Sequence, residues 1–309
     1  MMKAWFYVMC VFLGGCSFGV LSTFVKLAYE AGFTMFEVTG SQAIIGTIMI
    51  WILALFVKKQ KITKKQIIKL AISGFPMGLT GIFYYYSLET LDASLAIIFL
   101  FQFIWIGAIA DWIILKRKPS IQKILSIMIV LIGSVMAAGI LTSGEKIIDL
   151  SGAIWGVLAA LSYSLFLLTS GLVEREVPAI QRSAILSTGS MIIVLLIANP
   201  LSWINTDTMI NIAPYGVLLG LFGVVIPPIL FAVGMPKVGP GTGSILTASE
   251  LPVVVLLSMF VLSERVQWIQ WVGVLVILVG ILLGNRSFLS NPFREKIGLL
   301  KENKKNFTS

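Results

Sequence analysis

One carboxylate stands out among the side chains that could do chemistry. Glu250 lies in the apolar stretch 241–262, nine residues after Gly241. At about 1.5 Å of rise per residue, it sits roughly 13 Å along a helix. An ionised acid so deep in apolar surroundings costs about 3 kcal/mol or more unless it faces water or a partner. Two readings follow. Either Glu250 lines a cavity and binds a cationic group or exchanges a proton, or it bonds backbone freed by Pro252 and fixes its helix.

Other chemistry is sparsely provided for. The chain has no histidine, so the commonest general base and metal ligand is missing. Cys10 and Cys16 are six residues apart in the first apolar run and read as small packing residues. The stretch GPGTGS (239–244) lacks the Gly-Lys-Ser/Thr ending of a phosphate loop and reads as a turn and helix start. No catalytic residue, cofactor or metal site is expected.

Five further side chains join Glu250 as cavity candidates. Gln102 occupies a mid-span position in 93–115, where a buried amide needs partners. Tyr85 belongs to the run Tyr84-Tyr85-Tyr86, whose consecutive rings point in different directions, some toward lipid. Ser162 and Tyr163 form part of a polar patch halfway along 151–173, and Gln42 lies about a turn into 37–57. Helix packing is the plain alternative for each. Pro76, Pro227, Pro228 and Pro252 fall inside apolar runs, where each removes a backbone bond and can act as a hinge. Lys26 could pair with Glu30, and Asp111 with Lys116 or Arg117.

The elements that must position these residues are membrane helices. Of 309 residues, 58% are hydrophobic and 12% charged, with a mean hydropathy of +0.98. Soluble domains carry about 25% charged residues, so this chain cannot clothe a water-facing surface. Ten apolar runs are long enough to span a bilayer: 5–28, 37–57, 67–88, 93–115, 121–141, 151–173, 180–201, 211–233, 241–262 and 267–285. Unbroken apolar stretches favour helices over barrel strands. The expected fold is an all-α integral membrane protein.

Basic residues orient it. With the N-terminus in the cytoplasm, 20 of the 23 Lys and Arg residues fall on the inner side, leaving only Lys26, Lys146 and Arg265 outside. Both termini are then cytoplasmic. The net charge of +9 reflects topology and contact with anionic lipid, and nucleic acid is not an expected partner.

The two halves resemble each other. Residues 99–134 align with 247–282, setting Gln102 on Glu250 and Arg117 on Arg265 at an offset of 148, and Gly133 on Gly280 at 147 after one residue is lost in the connection. Five spans per half, an odd number, turn the second copy upside down. The expected division is a first repeat at 1–145, a second at 146–288 and a basic tail at 289–309. Inverted repeats around a midplane site are the build of secondary transporters.

These residues carry a family resemblance. The chain resembles the drug/metabolite transporter superfamily, in particular ten-helix proteins of two EamA domains, over about residues 5–284. The most specific stretch is ASELPVVVLLSMFVLSERVQWIQWVGVLVILVGILLG, where Glu250, Pro252, Glu264, Gln270, Gly273 and Gly280 match the family's pattern. The chain departs from it at Leu251 between acid and proline, at Ser263 where Gly is usual, and at Gln42 where many members carry Arg. The resemblance implies a cell-membrane exporter or exchanger of a small metabolite such as an amino acid, with a coupling proton or ion as a further candidate partner, working as a monomer or homodimer. A passive channel is the alternative.

Overall fold

The computed structural model describes residues 2–57, 60–91, 93–116, 118–139, 149–198, 206–263 and 266–284. Among these residues there is helix and connecting chain but no strand. The expected tail at 289–309 and the side chains of Arg117, Glu264 and Arg265 lie outside them.

The first three helices are unbroken: α1 Met2–Glu30, α2 Met35–Leu55 and α3 Lys64–Thr90. Helices α2 and α3 begin with capping boxes, Thr34 with Glu37 and Thr63 with Gln66, which satisfy backbone N–H groups at each start. The fourth apolar run is split into α4 Ala93–Phe101 and α5 Phe103–Leu115, with Gln102 at the break. Then come α6 Ile121–Ala137, α7 Leu150–Leu172 and α8 Ala179–Ala198. The eighth run is α9 Thr206–Leu219, a π-helical segment at Gly220–Val225 and α10 Ile226–Val238. The ninth is α11 Pro240–Leu246, a single 3₁₀ turn at Thr247–Ser249 and α12 Glu250–Phe260. Helix α13, Trp268–Gly284, closes the described chain.

Eight of these columns are long and apolar enough to cross a membrane, and two, Ile121–Ala137 and Trp268–Gly284, are shorter apolar helices. Their outer faces carry large exposed apolar side chains such as Trp51, Trp112, Leu125, Leu161, Leu196 and Leu275. A soluble protein does not present apolar area on this scale; a lipid-facing one must.

The sequence repeat has a structural counterpart. Lys116 ends α5 with φ 56°, and Ser263, 147 residues later and one short of the aligned position, follows α12 with φ 54°. Both hold the left-handed backbone that favours glycine. The breaks at Gln102 and at Thr247–Ser249 recur at the same spacing. Packing follows suit: α3 lies against α7 and α8, while the eighth column lies against α1 and α2. Helices α4 and α5 pack on α7 as α12 packs on α1. Helices α6 and α13 meet through small residues, Ser126 donating to the Gly280 carbonyl at 2.6 Å.

Candidate functional site

The bundle has two unlike ends. One holds the α2–α3, α5–α6, α7–α8 and α10–α11 junctions and is called here the near end. The other holds the α1–α2 and α3–α4 junctions and is called the far end.

A cavity of about 110 Å³ opens in the far half, walled by α1, α2, α3, α4, α7, the π segment and α12. Glu250 lines it at the eleventh position of the 21-residue span Pro240–Phe260. The acid is 9% exposed, and its Oε2 is buried with no hydrogen-bond partner among the described residues. The backbone explains how it comes to be there. The 3₁₀ turn before Glu250 is seated on α1, where Ser249 Oγ donates to the Phe12 carbonyl at 2.7 Å. A Cβ at Gly15 would meet the Thr247 carbonyl at 2.9 Å, and one at Gly19 would meet Val253 at 2.8 Å. Only glycine lets α1 and this strand of backbone approach so closely.

Four of the six expected candidates meet at this cavity: Glu250, Tyr85, Tyr163 and Gln42. Tyr85 donates its hydroxyl to Gln42 Oε1 at 3.3 Å, joining α3 to α2 across one wall. Tyr163 lies against Phe103, centroids 4.6 Å apart, and Phe18, 5.7 Å apart. With Phe166 and Phe231 these rings form a plug beneath the cavity on the near side.

The other two candidates are elsewhere. Gln102 is not a lining residue: its Nε2 donates to the Ile98 carbonyl at 3.0 Å and its Oε1 accepts from Trp105 Nε1 at 2.7 Å. The helix break frees a carbonyl one turn back, and the amide closes on it locally rather than turning inward. Ser162 likewise donates to the Pro76 carbonyl at 3.0 Å and serves α7–α3 packing. Asp111 pairs with Lys123 of α6 at 3.1 Å, not with Lys116.

The prolines divide similarly. Pro227 and Pro228 start α10 directly after the π segment, whose Phe222 and Val224 carbonyls accept from Ser17 and Ser187. Pro252 falls in the first turn of α12, where a missing N–H is cheapest. Pro76 lies within the unbroken α3, and its carbonyl also accepts from Thr80.

Sequence reasoning did not single out Tyr84, Phe18, Phe166 or Met77, which also line the cavity. The tyrosine run was the one available signal; Tyr84 joins Tyr85 inside, while Tyr86 stacks on Trp155 at 5.1 Å. A second cavity of about 100 Å³ shares Tyr84 and Ser22 with the first and reaches Lys26, Ser258 and Gln270.

The near end carries polar ties instead. Lys69 and Gln66 of α3 both bond Glu174, at 3.1 and 3.0 Å, and Gln60 N donates to Gln181 Oε1 at 2.9 Å. Those two bonds hold the Glu174 carboxyl below its ordinary value, Gln66 contributing first and Lys69 next. Arg182, 3% exposed, donates to the Ala232 carbonyl of α10.

A multi-pass helical bundle, apolar outside, with a buried acid facing an internal cavity, is the form of a membrane transporter. The profile of the EamA-like transporter family matches this chain twice, over residues 5–139 and 150–286. The chain belongs to that family, whose members are membrane transporters of small solutes and not enzymes. A solved crystal structure, described only as that of a protein, shares the fold: TM-score 0.69 and 14% identity, covering 89% of this chain and 98% of the other. No curated protein sequence matches.

Proposed function

We propose that the protein is a secondary active transporter, an exporter or exchanger of a small metabolite with a positively charged group, working by alternating access between two inverted five-span repeats. The repeats are 1–145 and 146–288, with ten spans in all and a cytoplasmic tail at 289–309. The membrane is the cell membrane, and the basic residues favour both termini inside. On that orientation the near end is cytoplasmic and this conformation faces outward.

One observation carries the proposal: Glu250, at mid-span, lines the cavity while its Oε2 has no hydrogen-bond partner among the described residues. A carboxylate so placed needs a compensating charge, which a proton or a cationic substrate can supply. Competition between those two couples substrate movement to a gradient. The two family matches, over 5–139 and 150–286, support two equivalent halves that rock about the centre.

Counterflow in proteoliposomes tests it. Wild-type protein should accumulate labelled substrate against an internal excess and respond to an imposed pH gradient. Glu250→Gln should insert normally yet lose the response to pH. Flux that neither saturates nor shows counterflow would mean a passive channel instead.

A further inference from the structure

The cavity's lining has a marked imbalance of chemistry. It carries one charged side chain, Glu250, and no lysine or arginine among the described residues. Five aromatic side chains surround it: Phe18, Tyr84, Tyr85, Tyr163 and Phe166. The neutral donors are few: Ser22, Thr80 and Tyr85 already donate to the Gly19 carbonyl, the Pro76 carbonyl and Gln42 Oε1, which leaves chiefly the Tyr84 and Tyr163 hydroxyls and the Gln42 Nε2. Lys26 belongs to the second cavity, beyond the shared wall of Tyr84 and Ser22.

From this lining we infer the substrate class: a small organic monocation, an amine or quaternary ammonium on an apolar or single-ring body, and not a zwitterionic amino acid. The inference rests on reading the cavity as a transport site. One positive charge neutralises Glu250 as a proton would, and the ring faces attract cations through their quadrupoles. A zwitterion would bring a second carboxylate beside Glu250, where no cation faces it and the low dielectric strengthens the repulsion.

The experiment uses the purified full chain and four probes with a common benzyl body: benzyltrimethylammonium, benzylamine, phenylalanine and phenylacetate. Thermal unfolding is followed against the concentration of each. Both cations should raise the melting temperature saturably, with midpoints at least tenfold below that of phenylalanine, and phenylacetate should have no effect. Glu250→Gln should raise the cation midpoints at least tenfold. If that variant does not fold, Tyr163→Leu should weaken cation binding several-fold while Tyr163→Phe preserves it. Phenylalanine binding as tightly as benzylamine would overturn the inference, as would cation midpoints unmoved by Glu250→Gln or Tyr163→Leu, or no binding of any probe. Glu250-dependent counterflow of phenylalanine but not of the amines would sink this substrate class and leave the transport reading standing. Absence of counterflow despite amine binding would sink the transport reading alone.

Discussion

At the near end, Lys123 of α6 reaches Asp111 of α5 at 3.1 Å, with side chains 15% and 9% exposed. At the far end, its counterpart 147 residues on is Gln270 of α13, which donates to the Ala137 carbonyl at 3.2 Å and faces the second cavity. Two repeats of similar build thus end in a locked charge pair on one side and a neutral bond beside open space on the other. A Cβ at Gly241 would meet Asp111 Oδ2 at 2.6 Å, so α11 also lies hard against the locked end. The lesson is that near-equivalent helices can tie one end together and leave the other beside a cavity by exchanging a few polar residues. On the proposed transport cycle such an asymmetry would have to reverse, and bonds of modest strength would make reversal accessible.

The largest test of the comparison is Asp111→Ala. It strands the Lys123 ammonium in a half-enclosed site and should cost about 3 kcal/mol, read as a large fall in melting temperature. Asp111→Leu combined with Lys123→Leu should recover most of the loss. A small effect from the single substitution would mean that the near end is not held by this pair.

Next come two glycines of α3, one at each half. A Cβ at Gly74 would land on the Leu186 carbonyl of α8, so Gly74→Ala should cost about 2 kcal/mol by forcing two helices apart. At Gly81, on the cavity wall, the nearest atom is Thr39 Cγ2 at 4.0 Å, and Gly81→Ala should leave stability unchanged. Equal losses at both would contradict a hollow far half.

Gln270→Ala removes two neutral bonds, one to the Ala137 carbonyl and one from Gln267 N, and should cost about 1 to 2 kcal/mol, less than Asp111→Ala costs. Replacing Ser263 by glycine relieves its left-handed backbone and should stabilise by about 1 kcal/mol. Both are read from denaturation midpoints of the purified protein.

The smallest effect is in pH. Glu174 has a carboxyl held below its ordinary value of 4.5 by Gln66 and Lys69. Its contribution to near-end closure is therefore complete above that value and fades as pH falls through the lowered one. The melting-temperature difference between wild type and Glu174→Gln should be present at neutral pH and vanish on strong acidification. A difference independent of pH would show that Glu174 acts without its charge.

The sequence by itself determined the apolar surroundings, the succession of apolar helices, the doubling of the chain and the place of Glu250 midway along its apolar run. These depend on local composition and spacing, which hydrocarbon selects residue by residue. It also pointed to Tyr85, Tyr163 and Gln42, polar groups that apolar surroundings oblige to find company. What it could not show was direction. Gln102 and Glu250 share a repeat position, yet one closes on its own helix and the other lines the cavity. Tyr84 turns into the cavity while Tyr86, two residues on, stacks against Trp155. Whether a side chain faces inward depends on helix rotation, breaks and the glycines of the opposing helix, and these are decided only when all columns pack at once. The aromatic plug beneath Glu250 draws rings from four separated segments, so only the tertiary structure brings it into being.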